Sequence, residues 1–153
     1  ILDVNYDEGV FVGYRWYESK NIEPLYAFGY GLSYTSYVYS NLILGQQPIY
    51  AGTTLKLSVD IKNTGAMDGK EIIQLYVSDI ESSVPRPIKE LKGFQKVHLK
   101  AGSKATVHFT LVERDFSFWD VTNQDWKLEP GIFEVLIGSS SNNILAKAEL
   151  EIK

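Results

Sequence analysis

From residue 41 onward the chain alternates apolar and polar residues in short runs. Leu55, Leu57, Val59 and Ile61 interleave with Lys56, Ser58, Asp60 and Lys62, the two-residue period of a strand with one dry and one wet face. Ala105, Val107, Phe109 and Leu111 against Lys104, Thr106, His108 and Thr110 repeat the pattern more cleanly. Ile72 to Val77 reads as a more buried strand with Gln74 and Tyr76 on one face. Leu91 to Leu99, Ile132 to Ile137 and the run Ile144, Ala146, Ala148, Leu150, Ile152 supply further strands. Asn63-Thr64-Gly65, Asp68-Gly69, Lys100 to Ser103 and Pro130-Gly131 are turn sequences between them. Pro85 and Pro87 keep the stretch Ser78 to Ile88 out of any central strand or helix. Glu113 to Lys127, with Phe116, Phe118, Trp119 and Trp126, reads as irregular. About seven short strands with frequent turns predict an all-β fold, an immunoglobulin- or fibronectin type III-like antiparallel β-sandwich with little helix.

Residues 1–40 break this regularity. They hold eleven of the chain's aromatic residues, among them Tyr14, Trp16, Tyr26, Phe28, Tyr30, Tyr34, Tyr37 and Tyr39. Val10 to Tyr17 and Leu32 to Tyr39 read as short extended segments around a loop from Asn21 to Gly31, so the segment is expected to be an extended aromatic arm. Ordering forty residues costs on the order of 60 kcal/mol at about 1.5 kcal/mol per residue, and only extensive burial offsets that. Tyr and Trp join a large apolar area to a polar tip, as interfaces favour. The arm can pack against another domain, fold back over its own sandwich, or stack on sugars.

Composition narrows the functional classes. The net charge is −4 over 153 residues, without the concentrated basic face that nucleic acid requires. Lys89, Lys92, Lys96, Lys100 and Lys104 form a local excess relieved only by Glu90; a surface for a sugar phosphate or other anion is one reading, and solvated strand edge and turn is the simpler one and the one expected. Cysteine is absent, so no disulfide framework or thiolate chemistry is available. No apolar run reaches membrane-span length, and no membrane partner is expected. The opening at Ile1 instead of methionine gives the expectation of a processed or excised piece, with any targeting signal upstream.

Candidate chemistry is sparse. His98 and His108 are expected on the wet faces of successive strands, where they could be cross-strand neighbours, and lack the further ligands of a zinc shell. Neither metal nor cofactor is expected. Glycosidic cleavage needs two spaced carboxylates. Asp7 and Glu8 are adjacent and point apart if extended. Asp115, Asp120 and Asp125 flank Trp119 and Trp126, which makes those tryptophans carbohydrate-contact candidates, although acids beside aromatics are also ordinary turn and core-plug material. No catalytic residue is assigned. Arg15, between Tyr14 and Trp16, needs a carboxylate or a ring if buried.

Two sets of residues carry a resemblance that spans essentially the whole chain. One is Tyr6-Asp7-Glu8-Gly9-Val10-Phe11-Val12-Gly13-Tyr14-Arg15 followed by Pro24-Leu25-Tyr26-Ala27-Phe28-Gly29-Tyr30-Gly31-Leu32-Ser33-Tyr34-Thr35. The other runs through Val59 to Gly65, Gly69 to Val77, Pro85 to Phe94, and Glu129 to Val135 with Gly138. Together they resemble the C-terminal part of glycoside hydrolase family 3, the family of many β-glucosidases and β-xylosidases. The resemblance implies an upstream barrel carrying the aspartate nucleophile and an α/β domain that commonly carries the acid/base glutamate, both ahead of Ile1. Glu8 does not match that acid/base region.

The resemblance also implies that residues 1–40 are the end of the α/β domain plus its connector and that residues 41–153 are the fibronectin type III-like domain. The chain is then expected to be a non-catalytic structural portion of a retaining β-glycosidase. Its interface candidates are Tyr14, Arg15, Trp16, Tyr26, Phe28, Tyr30 and Arg86. Its partners would be the upstream domains in the same enzyme or on a separate chain. The alternatives are one chain of a multi-chain active glycosidase, or an independent carbohydrate-binding module using Trp119 and Trp126 or the arm. An isolated fragment with such an arm is expected to self-associate.

Overall fold

Apolar side chains from two antiparallel sheets interdigitate to form the core. The computed structural model describes residues 3–153; Ile1 and Leu2, at the head of the predicted arm, lie outside the described residues. One sheet has three strands in the order β1 (Tyr37–Leu44), β2 (Leu55–Asn63), β5 (Lys104–Leu111). The other has four, in the order β4 (Glu90–Leu99), β3 (Gly69–Asp79), β8 (Gly131–Ser140), β9 (Asn143–Ile152). Two short helices, α1 (Tyr14–Ser19) and α2 (Glu113–Phe116), and a hairpin of β6 (Phe118–Asp120) and β7 (Asp125–Lys127) complete the fold. The expected all-β sandwich is therefore observed.

The dry faces are those that the alternation marks. Leu55, Leu57, Val59 and Ile61 of β2 and Val107, Phe109 and Leu111 of β5 meet Ile73, Leu75 and Val77 of β3 and Phe133, Val135 and Ile137 of β8. Each such buried side chain contributes about 1.5–3 kcal/mol. Phe116, at the end of α2, closes the core by packing edge-on to Phe133 with ring centroids 5.5 Å apart.

Four features depart from the sequence expectations. Residues 14–19 are helical instead of extended, and the strand expected over Leu32 to Tyr39 starts at Tyr37 and runs to Leu44. That strand crosses residue 40, so the last part of the aromatic segment pairs with β2 inside the sandwich. The region Glu113 to Lys127 is ordered as α2 and the β6–β7 hairpin, in which Trp119 faces Trp126. His98 and His108 are exposed as expected but are not cross-strand neighbours, because β4 and β5 belong to different sheets.

The edge strands β1 and β4 each carry a β-bulge. In β1 an extra residue sits between Ser40 and Ile43, where Asn41 adopts φ 52° and donates to Asp60 Oδ2 at 2.9 Å. In β4 the register slips between Leu75 and Tyr76, opposite Gly93 and Leu91. Lys92 is thus the unpaired residue, and a bulge re-aims the side chain it carries.

Candidate functional site

The start of β4 clasps α1. Three consecutive residues, Lys89, Glu90 and Leu91, each hold a helix residue. Lys89 Nζ meets Glu18 Oε2 at 2.6 Å, Arg15 Nη2 meets Glu90 Oε1 at 3.2 Å, and the Leu91 N–H donates to the Tyr14 hydroxyl at 2.8 Å. The six-residue helix carries none of the side-chain caps that stabilise a free helix, and a helix this short is marginal alone. Tertiary contacts hold it in place.

The rest of the arm lies over the outer face of the four-stranded sheet, where Gln74 and Tyr76 point away from the core. Tyr14 stacks on Phe28 at 5.0 Å and meets Tyr76 edge-on at 6.0 Å. Ala27 is buried, and the Ser141 N–H donates to the Phe28 carbonyl at 2.9 Å. Gly29 has φ 82°, and a Cβ there would overlap the Gln74 amide, so both the backbone conformation and the close approach require glycine. Burial pushes the Tyr76 hydroxyl above its ordinary pKa, with Tyr14 and Glu18 adding to it. Further along, buried Asn63 accepts from Thr35 Oγ1 at 2.6 Å and from the Gly65 N–H at 3.1 Å. It donates to the carbonyls of Met67 and Leu99 at 2.8 and 3.1 Å.

The arm's other side is open. Tyr26 and Tyr30 stack on one another at 5.5 Å yet remain 69% and 52% exposed, and Leu25, Leu32 and Tyr34 are 89%, 89% and 95% exposed. Trp16 is partly exposed beneath Lys20. The arm is therefore fixed on its inner side and carries exposed aromatic and aliphatic side chains on its outer side.

Beside the arm lies a cleft of about 660 Å³. The arm (Val10, Arg15), the loop Val84–Pro87, and α2 with the β6–β7 hairpin form its walls. Arg86 is nearly buried at its base. It donates to Asp79 Oδ2 at 2.9 Å, to the Phe116 carbonyl at 2.9 Å and to Glu90 Oε2 at 3.0 Å. Glu90 thus faces Arg15, Arg86 and, at 3.5 Å, Lys92. Burial alone would raise the Glu90 carboxyl, but Lys92, Arg86 and Arg15 hold it below the ordinary range. Lys92 is lowered, burial outweighing the pull of Glu90. On the opposite wall Trp119 and Trp126 meet edge-on at 5.6 Å, and the Arg114 guanidinium lies 3.2 Å from the Trp126 ring centroid.

The structure thus brings Arg15, Arg86, Trp119 and Trp126 to one cleft, and Tyr14 and Phe28 to the sheet beneath the arm. Trp16, Tyr26 and Tyr30 face outward. Lys89 and Lys92 are not the solvated lysines that the sequence suggests: their side chains are 11% and 15% exposed, because Glu18 and Glu90 pair with them. Glu18, Glu90 and Leu91 are the partners that sequence reasoning misses.

The three aspartates near the tryptophans are occupied locally. Asp115 accepts from the Val112 N–H, Asp120 from the Thr122 N–H and the Asn123 amide, and Asp125 from the Trp126 N–H. Asp7 and Glu8 border a separate hollow with Phe11, Trp16 and Tyr17. Among the described residues no group of three or more His, Asp or Glu side chains is placed to hold a metal ion, and no helix is long and apolar enough to cross a membrane.

Sheet order and core define an immunoglobulin-like sandwich, and the family model of the fibronectin type III-like domain matches residues 71–141. Thermostable β-glucosidase B of Acetivibrio thermocellus is 49% identical over 149 residues, which cover 97% of this chain and 20% of that protein. β-Glucosidase BoGH3A of Bacteroides ovatus is 44% identical over 146 residues, covering 95% and 20%. Among solved structures, the GH3 β-glucosidase of Bifidobacterium adolescentis superposes with a TM-score of 0.90 at 39% identity over 96% of this chain and 21% of that one. The chain spans about a fifth of the length of the relatives it matches. Over nearly its whole length the chain is thus similar to a portion of glycoside hydrolase family 3 β-glucosidases, and its residues 71–141 match the fibronectin type III-like domain.

Proposed function

We propose that this chain is a non-catalytic docking portion of a retaining β-glycosidase, with β-glucosides as the substrate class of the intact enzyme. The residues ahead of β1 serve as the end of an upstream α/β domain and its connector, and the sandwich serves as the scaffold that holds them. The observation that carries the reading is the two-sided arm. Tyr14, Ala27 and Phe28 anchor it to the sheet, while Leu25, Tyr26, Tyr30, Leu32 and Tyr34 present an exposed apolar face. The likeness to β-glucosidases about five times as long supports upstream barrel and α/β domains as the occupants of that face.

Retaining cleavage requires a nucleophilic carboxylate and an acid/base carboxyl about 5–5.5 Å apart, and both are assigned to those upstream domains. The sandwich's contribution is positional: a rigid base keeps the connector, and through it the neighbouring domain, in one orientation. An aryl β-glucoside assay tests this. The 153-residue chain is expected to show no turnover, whereas the parent protein turns the substrate over; turnover by the pure chain contradicts the reading.

A further inference from the structure

The outer face of the four-stranded sheet is covered unevenly. Residues opposite one another on antiparallel strands share a face, and on this one β3 and β4 contribute the pairs Tyr76–Leu91, Gln74–Phe94, Ile72–Lys96 and Lys70–His98. Tyr14 covers the first pair, with its ring against Tyr76 and its hydroxyl on the Leu91 N–H. In the second pair the polar member is covered and the apolar member is bare. Gly29 lies on the Gln74 amide, which also accepts from the Tyr76 hydroxyl and donates to the Ser139 carbonyl, and Gln74 is only 5% exposed. Phe94 opposite it is 67% exposed, and β4 is an edge strand, so no further strand shields the ring. Ile72, the diagonal neighbour of Phe94, is 43% exposed, and diagonal neighbours on a sheet lie within reach of an aromatic side chain. Lys70 and His98 are polar and exposed, so the apolar strip ends there.

We infer that Phe94 and Ile72 continue the docking face of the arm onto the sheet, and that an uncharged, apolar surface of the parent protein outside this chain covers them together with Tyr30. Three observations select that occupant. Gly29 on Gln74 places Phe94 directly beside the arm, so the strip adjoins the side of the arm proposed for domain docking. The arm from residue 24 to residue 36 holds no charged residue, which suits an apolar partner and not an ionic one. The relatives have about four-fifths of their length outside the matched region, which supplies a partner covalently joined to the arm. Apolar side chains scattered singly are ordinary on a protein surface, but Phe94 and Ile72 adjoin one another and the arm.

The inference rests on the proposed docking function and extends it to the sheet, so the test separates the two. Hydroxyl-radical footprinting read residue by residue is carried out on the parent protein and on the isolated chain. Phe94 and Ile72 are expected to be modified at least about tenfold more slowly in the parent than in the chain. His98, beyond the end of the strip, is expected to react equally in both.

Equal modification of Phe94 and Ile72 in parent and chain overturns the inference. If Tyr26, Tyr30 and Tyr34 are still protected in the parent, arm docking stands without the sheet strip; if they are not, both fall. Two controls on the isolated chain test other occupants: sedimentation against concentration, as wild type and as Phe94→Thr, which keeps a strand-forming residue, and footprinting with added cello-oligosaccharides. A dimer that Phe94→Thr abolishes assigns the strip to a second copy, and protection of Phe94 by the oligosaccharide assigns it to a glucan. Either result overturns the inference.

Discussion

The hydroxyl of Tyr14 receives the Leu91 backbone N–H at 2.8 Å, across a separation of 77 residues. This bond joins the first turn of α1 to the edge strand β4, and with the flanking Glu18–Lys89 and Arg15–Glu90 pairs it fixes the arm to the sandwich. It also satisfies a donor on an edge strand that would otherwise be open to pairing with another chain.

Tyr14→Phe isolates that bond. The ring still stacks on Phe28, so the expected cost is about 1 kcal/mol. Tyr14→Ala also removes both aromatic contacts and is expected to cost about 3 kcal/mol. Urea unfolding of the two variants checks the order. Equal effects would show that the hydroxyl contributes nothing.

Asn63 is expected to be the costliest polar position. Replacing it with Ala leaves the Thr35 hydroxyl, the Gly65 N–H and the Met67 and Leu99 carbonyls without their partner. The loss should be about 3 kcal/mol, read from the denaturation midpoint.

Asp60 accepts from Thr106 Oγ1 at 2.6 Å, from Asn41 at 2.9 Å and from Lys104 at 3.0 Å, and these bonds hold its carboxyl far below the usual carboxylate range. The folded value lies under the unfolded one of about 3.9. The contribution is therefore complete above about pH 4 and is lost as the pH falls toward the folded value. Asp60→Asn should flatten the acid limb of the stability–pH curve.

Glu71 has the opposite sign. Burial raises its carboxyl, and the hydrogen bond from Tyr39 only partly opposes the rise. A folded value above the unfolded one penalises the charged form, so Glu71 detracts from stability at neutral pH and the penalty fades as acid protonates it. Glu71→Gln should raise the thermal midpoint at pH 7 and give no gain near pH 3, in a melting series across that range.

Strands β2 and β5 are legible in the sequence because one face of each meets the core and the other meets water, which imprints a strict alternation. The arm stands out in the sequence by its aromatic excess, but its shape does not. Val10 to Tyr17 mixes glycine, β-branched and aromatic residues, a composition with no helical stripe. Residues 14–19 are held as a helix by tertiary contacts, those of Tyr14, Arg15 and Glu18 to Leu91, Glu90 and Lys89 and of Tyr14 to Phe28 and Tyr76. Lys92 is hidden for a related reason: a lysine among lysines reads as solvated, and the bulge that turns it inward leaves no composition signal. Arg86, between two prolines, is identified as a candidate from the resemblance alone, and its partners Asp79 and Glu90 emerge only in three dimensions.

Hydroxyl-radical footprinting of Tyr26, Tyr30 and Tyr34 tests the docking role most directly, because it reads the arm's outer face in the chain and in the parent protein alike. All three rings are largely exposed in the chain and should be modified readily there. In the parent they should be strongly protected, while His98 and His108 on the wet strand faces react equally in both. Equal modification of the three tyrosines in chain and parent would contradict the assignment of the arm as the surface that binds the rest of the enzyme.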